Sequence, residues 1–286
     1  MSPRIFAITR NTLTELTRQK VFYVLLIFAI ALIGSSVFLA RFSFQQEFQI
    51  LKDVSLGAMS IFTSLLAIVA TARLISQDIE DRTVYTILAK PVPRFEYLLG
   101  KLLGVLFLLA ISVAIMTALF VAILYLREQT ALSEAARELS SAPREQLDDA
   151  LNKIHASGIK IDIFLGVAII FLKACLLAVL TLFVSTFATT NIFTIVVMVA
   201  VYFIGHLEST AREYWLTQQS AGWLAKTFLA IVALLFPDLQ AFNLVDDIVA
   251  GVAIPLALFA KTALIGFFYT LIYTLAATFV FYGKEL

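Results

Sequence analysis

The chain has 286 residues, of which 61% are hydrophobic and 14% charged, against roughly 25% charged in an ordinary soluble domain. Mean hydropathy is +0.95, and 21 basic and 20 acidic residues leave a net charge of +1. These values exclude a disordered chain, argue against a soluble enzyme and give no basic excess for nucleic acid. The single cysteine, Cys175, excludes an internal disulfide and a cysteine-based zinc cluster.

The fold class expected is an all-α integral membrane protein. Residues 1–20 come first, with Ile5, Phe6, Ile8, Leu13 and Leu16 on one helical face and Arg4, Arg10, Glu15 and Arg18 opposite. Such a helix is expected to lie in the membrane interface with its basic face toward lipid headgroups. Charge-poor runs long enough to cross about 30 Å of hydrocarbon follow near residues 21–40, 54–72, 102–126, 163–187 and 262–283. A shorter run, residues 192–205, follows the polar break Thr189–Thr190–Asn191 and completes six spans. The first run starts only at Val21 and lacks a small-residue cleavage site, so it reads as a retained anchor rather than a cleaved signal peptide.

Orientation rests on the cations before the first span. The Lys/Arg tally is even across the two sides, but Arg4, Arg10, Arg18 and Lys20 precede the first helix, which usually dominates. Both termini are therefore expected in the cytoplasm. Residues 127–162 and 206–261 become outer segments. In the first, Ser141 is expected to cap a helix with Pro143 in its first turn, Leu147, Leu151 and Ile154 on one face and Gly158 as its stop. In the second, residues 227–237 suit a re-entrant or interfacial helix.

The stretch 73–101 carries the most information. Ile75 and Ile79 are helix-spaced, as are Val84, Ile87 and Leu88, with Asp78, Glu80, Asp81 and Arg82 between them. Pro91 and Pro93 then stop the helix. Phe95 and Tyr97 are placed to anchor at the interface before Gly100–Lys101 opens the third span. A short charged amphipathic helix between two spans can fit a groove on a soluble partner.

Glu80, Arg82, Thr83 and Leu88, then Lys90-Pro91-Val92-Pro93-Arg94, Tyr97 and Gly100-Lys101 resemble the cytoplasmic loop of type-2 ABC export permeases. The branch they resemble more closely includes the permease of nitrous-oxide-reductase maturation. Glu15-Leu16-Thr17-Arg18 and the run Phe236-Pro237-Asp238-Leu239-Gln240-Ala241-Phe242-Asn243-Leu244 are similar to that branch too. The resemblance implies a bacterial inner-membrane permease with six helices per subunit and a dimeric core, a homodimer being favoured over paired homologous permeases. It also implies a coupling helix docked on a separate ABC ATPase, which would use ATP and Mg. Asp78, Ile79, Glu80, Arg82, Thr83, Val84, Ile87 and Leu88 then stand at the ATPase contact. The other reading carried forward is a mechanotransmitting complex that moves or releases a protein or lipid without a through-channel.

The chain itself has no phosphate-cradling P-loop, which needs G-x-x-x-x-G-K-[ST]. Gly100-Lys101 and Gly283-Lys284 are followed by Leu102 and Glu285 and preceded at the first motif position by Phe95 and Thr278. No catalytic set and no cofactor of its own are expected. His155, His206, Met59, Met116 and Met198 show no metal-ligand spacing. Lys173 is the unusual charge, near the middle of the fourth span. It either belongs to a polar pathway or sits on a shifted helix that lets its ammonium snorkel.

Overall fold

A computed structural model describes residues 3–40, 46–80, 93–138, 143–188, 190–217, 227 and 237–283. Every regular element among them is helical. In chain order these are α1 (Pro3–Thr17), α2 (Lys20–Ala40), α3 (Glu47–Glu80), α4 (Arg94–Glu138), α5 (Arg144–Ser157), α6 (Ile161–Phe187) and α7 (Asn191–Thr217). A 3-10 turn (Gln240–Phe242), the short α8 (Val245–Val249) and α9 (Leu256–Gly283) complete the set. Five stretches are long and apolar enough to cross a membrane, carried by α2, α3, α4, α6 and α9. The fifth run expected from the sequence forms a shorter apolar stretch, Asn191–Leu207, within α7.

The helices outrun the apolar segments that specify them. At 1.5 Å per residue, the 45 residues of α4 span about 67 Å, more than twice the hydrocarbon thickness. The second and third spans therefore continue as helix into what the sequence reads as loop: residues 73–80 extend α3, and 94–101 open α4. Pro93 stands immediately before α4, where a missing amide proton costs nothing, and its carbonyl accepts the Tyr97 amide at 3.2 Å. Residues 81–92, which hold the centre of the expected coupling helix, lie outside the described residues, as does most of the expected re-entrant stretch 227–237.

The core is organised around α6, which packs on α3, α9, α4 and α7. Residues 173–182 of α6 are buried without interruption. By contrast, α2 exposes Val24, Ile27, Phe28 and Phe38, and α9 exposes Leu264, Phe267, Phe268 and Phe279. Large apolar side chains turned outward in this number fit lipid rather than water as the surrounding solvent.

Local capping fixes the breaks between helices. The Thr190 hydroxyl accepts the Phe193 amide at 3.3 Å, so the polar break before α7 is an N-cap. Asp238 Oδ1 accepts the Gln240 and Ala241 amides at 3.0 and 3.3 Å and starts the 3-10 turn. The Leu239 amide donates to the Gly205 carbonyl at 2.9 Å. In the outer segment α5 starts just after Pro143 and ends at Gly158, with Leu147, Leu151 and Ile154 half-buried on one face. Ser141, the expected cap, is outside the described residues.

α1 lays most of its apolar face on α4. A Cβ at Gly100 would stand 2.7 Å from Ile8 Cγ2, and one at Gly104 would stand 2.7 Å from Thr12 Cβ. The Thr9 hydroxyl reaches the Gly100 carbonyl at 3.2 Å. Two glycines four residues apart thus let the two backbones approach closely. Leu16 is buried in the same seam, and Phe6 alone of the expected apolar face is largely exposed, at 62%. Gly104→Leu is expected to force α1 off this seam at a cost of about 1–3 kcal/mol. Trypsin cleavage at Arg10 and Arg18 of the detergent-solubilised protein should accelerate; unchanged cleavage with unchanged thermal stability would show that the close contact is not needed.

Candidate functional site

The last turn of α3 and the first two turns of α4 flank residues 81–92, and a buried charged network joins them. Lys101 of α4 is 3% exposed. Its Nζ stands 2.7 Å from Asp78 Oδ2 of α3 and 3.6 Å from Glu15 Oε2 of α1. The Tyr97 hydroxyl, one turn before Lys101, donates to Asp78 Oδ2. Helical spacing makes this possible: Arg94, Tyr97 and Lys101 follow at i, i+3 and i+7, so they share one face of α4.

The same face reaches the end of α9. Arg94 Nη1 donates to the carbonyls of Phe281 and Tyr282 at 3.1 and 2.7 Å, filling acceptors that a helix C-terminus leaves open. Its guanidinium lies 5.8 Å from the centroid of the Tyr282 ring. Tyr97 stacks on Phe281 with centroids 6.0 Å apart and planes at 19°. Four helices, α1, α3, α4 and α9, therefore meet at the two ends of one connection.

Several sequence expectations change place here. Asp78, grouped with the outward charges of a coupling helix, points into the network instead, because Lys101 and Tyr97 offer it a partner and a donor. Tyr97, expected as an interface anchor, is fully buried at 0% exposure, whereas Phe95 beside it is exposed as an anchor should be. Gly100 and Lys101 do not merely open a span: one accepts α1 and the other ties α1 and α3 to α4. Ile79 and Glu80 end α3, where only their backbone is described. Arg82, Thr83, Val84, Ile87, Leu88, Lys90 and Pro91 lie outside the described residues.

Lys173 lies in the middle of α6 at 2% exposure. It does not snorkel. Its Nζ donates to the Ser60 hydroxyl of α3 at 2.5 Å, and none of the ion pairs among the described residues includes it. Cys175 is buried two positions on and packs with the core. Among the described residues no three His, Cys, Asp or Glu side chains come together as a metal site. At the opposite end of the bundle Arg127 of α4 pairs with Glu47 of α3, and Glu128 pairs with His155 of α5 at 3.0 Å.

The chain matches no protein-family model and no curated protein. Its functional reading therefore rests on its own residues.

The buried ion pair gives a direct test. Removing one partner of such a pair leaves an unpaired buried charge and costs about 3–5 kcal/mol, whereas replacing both with apolar groups is often neutral. Asp78→Leu leaves Lys101 with Glu15 as its remaining carboxylate, so it is expected to destabilise the protein by up to that amount in mixed-micelle unfolding, and Asp78→Leu with Lys101→Met to recover most of the loss. Equal stability of the two variants would show that Lys101 does not depend on Asp78.

Proposed function

We propose that the chain is the membrane-spanning permease subunit of an ATP-binding cassette transporter, an exporter whose ATP is hydrolysed by a separate subunit. The observation that carries this reading is the buried Asp78–Tyr97–Lys101 cluster with the partly exposed Glu15 beside it. A displacement of residues 81–92 by a soluble partner would pull on α3 and α4 together, and through Lys101 and the Gly100/Gly104 seam on α1. A solvated connection between two spans needs no such anchorage. The resemblance of the same segment to the coupling loop of type-2 ABC export permeases supports the same partner: ABC ATPase subunits, with a second copy of the chain completing the membrane core.

In this reading α7 supplies a sixth crossing, α1 lies at the cytoplasmic face, and both termini are on the cytoplasmic side of the bacterial inner membrane. ATP binding closes the ATPase pair, and the segment 76–88 transmits that motion to the spans. The chain binds no nucleotide, metal or other cofactor itself; ATP and Mg belong to the partner.

A mechanotransmitting complex that moves or releases a protein or lipid without a through-channel is the second reading. The unbroken burial of residues 173–182 at the centre of the bundle favours it, because a filled core transmits displacement without opening a path beside it. Cargo uptake by vesicles reconstituted with both subunits separates the two readings: an exporter moves cargo across the bilayer, and a mechanotransmitter turns over ATP without doing so.

Two outcomes test the assignment. Purified alone, the chain should hydrolyse no ATP, and cysteine introduced at Ser76 in a Cys175-free background should react only from the cytoplasmic side; periplasmic reactivity would reverse the topology. For the docking contact, buried apolar anchors dominate binding while exposed ion pairs contribute about 0–1 kcal/mol. Ile79→Asp and Val84→Asp are therefore expected to abolish co-purification of the ATPase with normal membrane insertion, and Glu80→Ala to weaken it far less. Undiminished association by both aspartate variants would defeat the coupling reading.

A further inference from the structure

A cleft of about 370 Å³ separates α3 from α7, within the size range of small-molecule sites. Its walls are apolar: Ile61, Leu65 and Ile68 of α3 stand across from Val199 and Phe203 of α7. Ile61 and Phe203 are more than half exposed, so the cleft opens sideways, toward lipid in a membrane.

Two polar side chains, Ser64 of α3 and Tyr202 of α7, line this cleft, and Lys173 of α6 is buried behind them, bonded to Ser60. On α3, Ser64 lines the cleft and its hydroxyl donates to the Ser60 carbonyl at 2.7 Å. Ser60 lies one helical turn further along the same face and accepts Lys173 of α6. On α7, the Tyr202 hydroxyl pairs with Ser64. His206 lies one turn further, its Nδ1 bonded to the Tyr202 carbonyl at 3.0 Å, and within electrostatic reach of Lys173. The serine, the histidine and the lysine thus converge beyond the same end of the apolar walls.

The charges at that end are unevenly matched: Asp238 acts on His206, while none of the ion pairs among the described residues includes Lys173. An ammonium in a bilayer interior is costly and is ordinarily paired with a carboxylate or placed on a functional path. Lys101 has two carboxylates around it. The partner of Lys173 is a neutral hydroxyl, which leaves two of its three N–H donors for an incoming group.

We propose that Lys173, Ser60 and His206 form the head-group end of a binding site for a single-chain anionic amphiphile. The carboxylate or phosphate would settle on Lys173, and the acyl chain would lie between α3 and α7 after entering from the bilayer. The arrangement matches such a molecule end for end: charge against charge at depth, chain against Ile61, Leu65, Ile68, Val199 and Phe203. The site is independent of the ATPase reading, because binding requires neither nucleotide nor a partner subunit.

The test uses the full chain in nanodiscs of zwitterionic lipid, without ATP or ATPase. The probes are a diazirine-bearing palmitate, a lysophosphatidic acid carrying the same group, and the palmitate methyl ester. Cross-linked peptides are mapped by mass spectrometry. Labelling of α3 and α7 at the cleft is expected from both anionic probes and at least tenfold less from the ester. Lys173→Met should reduce anionic labelling to the ester level, Lys173→Arg should keep most of it, and Phe203→Trp should block the cleft with Lys173 intact. Thermal stability and monodispersity of each variant separate lost binding from lost folding. Equal labelling of the wild type by charged and neutral probes would overturn the proposal, as would full anionic labelling of a folded Lys173→Met protein.

Discussion

Lys101 is a cation held between two carboxylates that belong to two other helices, and much of one end of the bundle depends on that geometry. Asp78 fixes the end of α3, Glu15 the end of α1, and the Tyr97 hydroxyl adds a second donor to Asp78 Oδ2 from within α4. A buried charge without these partners would have to be hydrated, and the seam between α1, α3 and α4 would have to open to admit water. Arg94 extends the same face of α4 to the carbonyls that end α9. The two helices that flank residues 81–92 are thereby joined to α1 and α9 at this end of the bundle.

This network was only half legible in the sequence. The residues were conspicuous, as a charged cluster followed by a proline break, an aromatic pair and Gly-Lys. Composition alone assigned the charges outward, since Asp and Lys near a span end are ordinarily solvated. What the linear pattern lacked was the length of the helices. Once α3 runs on to Glu80 and α4 starts at Arg94, Asp78 and Lys101 face one another across two antiparallel helices, and burial becomes cheaper than exposure for both. A readable signal for the α1 seam was Gly100-x-x-x-Gly104, whose spacing permits close packing, but it is masked by the apolar run in which it sits. The spans themselves were readable because hydrophobic length is a one-dimensional property. Their extensions were not, because a helix beyond the bilayer is held by tertiary contacts and carries no distinctive run of its own.

The other buried lysine makes a useful contrast. Lys101 and Lys173 are almost equally withdrawn from solvent, yet one is compensated by carboxylates and the other by a serine hydroxyl. The first arrangement offsets the cation with opposite charge on two sides. The second is open, with donor capacity left over and an apolar cleft beginning one turn away. The sequence singled out Lys173 by its depth but left open whether it snorkels, since that depends on the rotation and packing of α6. Burial on α3 and α7 decides against snorkelling, because the ammonium is enclosed by helices rather than extended toward a headgroup region.

These two sites lie at different depths, and α3 carries a residue of each: Ser60 in the bundle and Asp78 near its end. A helix is stiff along its axis, and eighteen residues separate the two positions, about 27 Å. One continuous element, α3, therefore joins the Asp78 network to the Ser60–Lys173 contact. The Ser60–Lys173 hydrogen bond is a polar contact set within extensive apolar packing between α3 and α6. The physical link between the Asp78 network and Lys173 is thus the continuity of α3.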